Sequence, residues 1–300
     1  MDKDDDVLTR RAGDDSLEHF ETPEEAMQYL RLAGTQGDAE IDVGETALAL
    51  ALVFLPGLHV ERYRNHLKKL VEHARDEYAA RLRQSTDVTA TLQAEVLRKI
   101  IHEAHGYKGD SETYDDLQNA NLIRVIERRA GLPVAIGILY VVVGRGCGFQ
   151  IDGLRFPGHF LLRLEHEGQR LILDPFDEAR EMTAADLRQL VKKLIGEQAE
   201  LSHNYYEAVT TRELLLRLQN NLKSRLIERE EYAQALLVIE TMAALAPDEP
   251  RTSFDKAILY AKLGQVQQAA SALEDYILRI PDAREKQQAK ALLQQILQLQ

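Results

Sequence analysis

Apolar positions recur with a helical period through the first hundred residues. Thr22-Pro23-Glu24-Glu25 has the form of a helix start: Thr as N-cap, Pro in the first turn, acidic groups beside the positive end of the dipole. A short helix is predicted over 23–33, ending at Gly34. Asp42-Val43-Gly44-Glu45 opens a second, apolar helix to about Leu55, which Pro56-Gly57 stops. Leu67, Leu70, Val71, Ala74 and Tyr78 fall at helical spacing in a long amphipathic helix over 60–84. A further helix fills 88–104 and stops near Gly106.

The pattern then changes. His105 to Leu117, rich in Gly, Asp and Tyr, reads as a loop. Asn121 to Arg129 reads as a helix that ends at Gly131, and Pro133 suits the first turn of an apolar helix through Val143. Gln150–Leu154, Phe160–Leu164 and Arg170–Leu173 read as strands, the last two joined by a Glu167-Gly168 hairpin turn. Antiparallel strands against a helix make this an α+β unit.

From about Thr211 the helical period returns, and it repeats. Pro247-Asp248 and Pro281-Asp282 stand 34 residues apart, and Ala235/Ala269, Ile239/Leu273 and Glu240/Glu274 keep that offset. Small residues at helix contacts and a Pro closing the second helix fit a tetratricopeptide repeat. Two repeats are predicted, roughly 214–247 and 248–281, followed by a capping helix over 284–298. One repeat cannot bury its apolar face alone, so this array is expected to dock on the preceding domain. The predicted organisation is therefore a tail over 1–20, a mixed domain over 21–210 (helical 21–105, core 106–180) and an all-α array over 211–300.

Composition narrows the picture. The 300 residues are 45% hydrophobic and 29% charged, as in a soluble globular protein. The longest apolar run, Leu48 to Leu58, contains Pro56 and falls short of the roughly 20 residues a membrane span needs. The acidic first twenty residues lack the apolar stretch of a secretion signal and read as a disordered tail, so a cytoplasmic location and no membrane contact are expected. A net charge of −12 argues against general nucleic-acid binding, and Arg124, Arg128 and Arg129 read as the polar side of their helix. The single cysteine, Cys147, excludes an intrachain disulfide and a thiolate metal cluster.

The chemistry concentrates at His159 and Asp174, fifteen residues apart and each expected on a strand. Neighbouring strands of a hairpin would bring them side by side. A thiol nucleophile needs a His to take its proton and an acid to orient that His, and it gains thiolate character at a helix N-terminus. The helix at Pro133, His159 and Asp174 follow in that order. The stretches ANLIRVIERRAGLPVAIGILY (120–140), PGHFLLR (157–163), LILDPF (171–176) and RLQNNLK (217–223) resemble the transglutaminase-like, papain-like superfamily. From about residue 40 onward the chain resembles its bacterial SirB branch, in which such a domain precedes tetratricopeptide repeats.

The resemblance implies a catalytic His at His159 and a catalytic Asp at Asp174. It implies a nucleophilic Cys in a G-x-C pattern, where this chain has Gly131-Leu132-Pro133. Ala135 and Gly137 stand where the branch often carries Ser. Cys147 lies 14 residues beyond Pro133, roughly 20 Å along a helix at 1.5 Å per residue, and so at the wrong end. The expectation is a non-catalytic scaffold that binds a protein or peptide through the repeats and the old cleft. The alternative is a hydrolase or acyltransferase acting on amide bonds through His159 and Asp174. Tyr107, Tyr114, Asn119, Arg155 and Phe156 are expected to border the cleft, and Tyr205-Tyr206 to pack at the domain junction.

No cofactor or metal is expected. His102-Glu103-Ala104-His105 is not HExxH, and His66 and His73 read as surface residues on one helix face. Asp110, Asp115 and Asp116 read as a solvated turn without the spacing of an EF-hand.

Overall fold

The computed structural model describes residues 19–84 and 88–298. Five helices lead into the mixed region: α1 (Pro23–Thr35), α2 (Val43–Leu52), α3 (Glu61–Leu82), α4 (Ala90–Arg98) and α5 (Leu122–Arg128). The Thr22 hydroxyl accepts from the Glu25 N–H while the Glu25 carboxylate accepts from the Thr22 N–H, a capping box that fixes the start of α1. The helix expected to run to residue 104 is split. Beyond Arg98 the turns widen, with the His105 N–H reaching back five residues to the Ile100 carbonyl.

The expected loop at 105–117 is structured. Strand β1 (Lys108–Gly109) pairs in parallel with β2 (Ala130–Gly131), immediately before α6 (Pro133–Gly146). Four further strands form one antiparallel sheet in sequence order: β3 (Gln150–Gly153), β4 (Leu162–His166), β5 (Gln169–Asp174) and β6 (Arg180–Glu181). The β4–β5 hairpin turns on Glu167 and Gly168, both at positive φ (45° and 83°), as a two-residue turn of this handedness requires. Ile151, Leu162, Leu164 and Leu173 point from the sheet into the main core with α6. Leu154, Leu161 and Ile172 face the other way, onto Leu187 and Val191 of α7 (Ala184–Ile195).

The repeat region is α8 (Thr211–Glu228), α9 (Tyr232–Leu245), α10 (Arg251–Lys262), α11 (Val266–Arg279) and the capping helix α12 (Ala283–Leu297). These helices match the predicted 34-residue units. Leu214, Leu215, Leu218, Leu222 and Leu226 of α8, with Val238, Ile239 and Leu245 of α9, belong to the same buried core as α2, α5 and α6. The expected docking is therefore a shared interior. Within the repeats, α10–α12 form an apolar cluster of their own, while Leu259 of α10 joins the main core.

Two further expectations are corrected by the fold. Phe20, assigned to the tail, is buried beneath the Arg64 guanidinium, 4.4 Å above its ring; the rest of the predicted tail, through residue 18, lies outside the described residues. His159 is not on a strand. It sits in the bend between β3 and β4, because Gly158 at φ +67° turns the chain there.

Candidate functional site

Asp174 ends β5 and His159 occupies the bend before β4, its partner strand. His159 Nε2 lies 2.8 Å from Asp174 Oδ2. The second carboxylate oxygen accepts the Phe176 N–H at 3.0 Å, so Asp174 is held on both sides. Asp174 is buried, while the His159 side chain keeps 19% of its surface exposed. With Nε2 engaged by the acid, Nδ1 is the ring nitrogen left for a ligand or a reacting group.

Phe160, the next residue, packs its ring against Gly137, one turn into α6. Pro133 is the first residue of that helix, and Pro133 through Leu139 are buried. Leu132, the N-cap, offers no side-chain cap, and its N–H donates to the Asn119 carbonyl at 3.0 Å. Cys147 caps the opposite end of the helix. Burial pushes its thiol up to about 11, against a weaker downward pull from Arg75. Such a thiol is protonated at neutral pH and a poor nucleophile.

The expected cleft residues divide. Tyr114 is 43% exposed and meets the Phe176 ring edge-on at 5.9 Å, so it stands beside Asp174. Three of the other four are buried, and Arg155 is exposed. Tyr107 is buried; its hydroxyl meets His66 Nε2 at 2.8 Å and also receives a bond from Arg129, whose guanidinium lies 4.6 Å over the ring. Asn119 is buried, its amide spent on the Thr113 carbonyl and the Arg128 guanidinium. Phe156 belongs to the core under α7, against Tyr205. Arg155 reaches Glu213 of α8 at 2.6 Å.

The loop before α5 is also built differently from its solvated reading. Asp110 is buried and accepts from Arg128 at 2.9 Å and from Thr113 at 2.6 Å. Burial pushes its carboxyl up, but the bonds from Thr113, Asn119 and Arg128 outweigh this and hold it at about 2. Arg128 and Arg129 thus turn inward to named partners, while Arg124 pairs with Glu127 on the surface. His73 Nδ1 lies 3.0 Å from His105 Nε2, completing a histidine cluster with His66 above Arg129.

Sequence reasoning missed Arg217. Its guanidinium, carried by α8, donates to the carbonyls of His159 (2.5 Å), Phe156 (3.2 Å) and Leu154 (3.4 Å) and lies 5.3 Å from the centre of the Phe160 ring. The only signal was its place in the RLQNNLK stretch.

Two family models match the chain. The model of the transglutaminase-like superfamily matches residues 61–220, and a tetratricopeptide-repeat model matches 222–294. The chain belongs to the transglutaminase-like superfamily. A UPF0162 protein of Vibrio cholerae is 30% identical, over 84% of this chain and 91% of its own length. One from Xylella fastidiosa is 28% identical over 82% and 87%. Protein SirB1 of Salmonella typhimurium is 24% identical over 73% and 79%, in keeping with the SirB-type resemblance. The two family matches meet inside α8, the helix that carries Arg217. No helix among the described residues is long and apolar enough to cross a membrane.

Proposed function

We propose that this superfamily member is a non-catalytic, protein-binding scaffold or regulator whose cysteine nucleophile has been replaced by Pro133. One observation carries the reading: His159 and Asp174 keep their hydrogen bond at 2.8 Å, while the residue opening α6 is a buried proline. A proline nitrogen within the chain has no proton to give up and no free pair with which to attack. Ala135 and Gly137 supply no hydroxyl, and Phe160 fills the space beside Gly137. Cys147 lies a whole helix away with its thiol pushed up. The repeats supply the partner surface, as such arrays generally do. A groove of about 450 Å³ runs between α8 and α10, bordered by Asn220, Lys223, Ile227, Phe254, Asp255 and Ile258. The cytoplasm is the compartment proposed for it.

A second reading has one observation in its favour. The engaged His159–Asp174 pair would orient an imidazole for hydrolysis or acyl transfer at an amide bond, given a nucleophile from elsewhere. Wild type, Cys147→Ser and His159→Ala are compared on amide and ester substrates, with mass spectrometry to trap an acyl-enzyme. The scaffold reading expects no adduct and no His159-dependent turnover. Turnover in wild type that a folded His159→Ala variant loses would overturn it.

A further inference from the structure

Helix α8 faces two ways. Arg217, Asn221 and Arg225 recur every four residues and share one face, with Arg229 at the C-cap one turn on. That face meets His159 directly and approaches Asp174 through Tyr114 and Phe176. Arg217 holds the carbonyl of His159 itself and two carbonyls of the preceding segment. Asn221 links the two arginines along the face: its amide donates to the Arg217 carbonyl at 2.8 Å, and its own carbonyl accepts from Arg225 at 3.1 Å. Arg225 donates to the Tyr114 carbonyl at 3.4 Å and lies 5.3 Å over its ring, and Arg229 donates to the Asp115 carbonyl at 2.7 Å. Tyr114 in turn packs on Phe176, whose N–H is bonded to Asp174.

Arg217 is mostly buried, and a guanidinium there needs acceptors for its donors. Among the described residues no ion pair within 4.0 Å reaches it; three backbone carbonyls of one short segment, 154–159, serve instead. A planar fork spread over three carbonyls fixes the path of that segment, and with it the direction in which His159 leaves the backbone.

We propose that α8 is a clamp on the His159–Asp174 pair, with Arg217 as the positioning residue for His159. The neighbouring side of the same helix carries Asn220, Lys223 and Ile227 to the α8–α10 groove, where Lys223 pairs with Asp255 at 2.5 Å. A shift of α8 at the repeats is therefore delivered to the imidazole by one side chain. The repeats are the input and the pair is the output. A working role for the clamped pair rests on the second reading above, in which the pair orients an imidazole for chemistry; the positioning by Arg217 does not.

The test reads the imidazole directly, in the full chain without partner or substrate. Nitrogen-15-labelled histidine reports the tautomer of His159 and the solvent exchange of its Nε2–H proton. Wild type is expected to show Nε2–H protected by Asp174. Arg217→Gln should speed that exchange by about tenfold, the scale of one net hydrogen bond, and mix the tautomers. Arg217→Lys, which keeps the charge but not the fork, should fall between. Arg75→Gln is the control for general loosening, since Arg75 ties α3 to the Gly146 carbonyl at the end of α6 and touches neither α8 nor the His159 segment. Unchanged His159 exchange in folded Arg217→Gln, or an equal change in Arg75→Gln, would overturn the clamp. If Arg217→Gln does not fold, Arg217→Lys decides by the same measure. Because no turnover is read, this outcome is separate from the question of a nucleophile.

Discussion

The ring of Phe160 occupies the place a Cβ at Gly137 would need. The residue after His159 is thereby locked to the helix that opens with Pro133. Gly137→Ala should destabilise the fold by about 1–3 kcal/mol through overpacking, although alanine is the better helix former. Gly137→Ser should cost at least as much and bring no activity. Denaturant midpoints would show both, and a stabilised Gly137→Ala protein would mean that Phe160 lies elsewhere.

Placing sulfur at the helix start tests what position 133 faces. In a Cys147→Ser background, the thiol of Pro133→Cys is expected to react with iodoacetamide at pH 7 about tenfold or more faster than Cys147 does in wild type. Helix N-terminus and imidazole both favour the thiolate and offset the burial of position 133, whereas at Cys147 burial outweighs the pull of Arg75 and pushes the thiol up to about 11. Equal sluggishness of the two thiols would mean that His159 does not address this position.

Acid should weaken the protein through His66. Burial first, then the charge of Arg129 and the neighbouring His105, Lys69 and His73, pull its imidazole from 6.5 down to about 4. The unfolded chain therefore takes up this proton at a higher pH than the folded one. The stability tied to His66 is whole above pH 6.5 and is lost as pH falls from 6.5 to about 4. His66→Asn should flatten that part of a stability-against-pH curve measured by urea unfolding. An unaltered slope would show that His66 is not the group responsible.

Asp110 should act lower on the same curve. Its carboxyl, held at about 2 against an ordinary 3.8, contributes stability that is complete above 3.8 and is lost as pH falls through about 2. Asp110→Asn should cost about 1.5–3 kcal/mol at neutral pH, the range for hydrogen bonds to a charged group. It should also loosen the 111–118 loop, visible as faster amide exchange at Thr113. A loss confined to less than 0.5 kcal/mol, the range typical of surface changes, would return Asp110 to the solvated turn read from sequence.

What could be read in advance follows from how local each signal is. The 34-residue offset of the repeats, the Thr22 cap and the Glu167-Gly168 hairpin are set by neighbours in sequence, and each stands where expected. The pairing of His159 with Asp174 was also legible, because the β4–β5 hairpin determines it. The bend at His159 was hidden, since the apolar run Phe160–Leu164 reads as a strand from its first residue. Tyr107, Asn119 and Phe156 were misplaced because a polar or aromatic residue beside a cleft and one buried with partners look alike in sequence. Arg217 was invisible for a different reason. Its acceptors are backbone carbonyls about sixty residues away, and every residue has a carbonyl.

Helix α1 lies on α9, so closely that Gly34 leaves no space for a side chain against the Ala244 carbonyl. During synthesis α1 can pack on α2 at once, but the face it turns to α9 waits for a mate some two hundred residues downstream. At about 5–20 residues per second, that is ten seconds or more on the ribosome with an apolar stripe uncovered. Birth order therefore opposes fold order in this chain, and its youngest stages are the ones most in need of a chaperone.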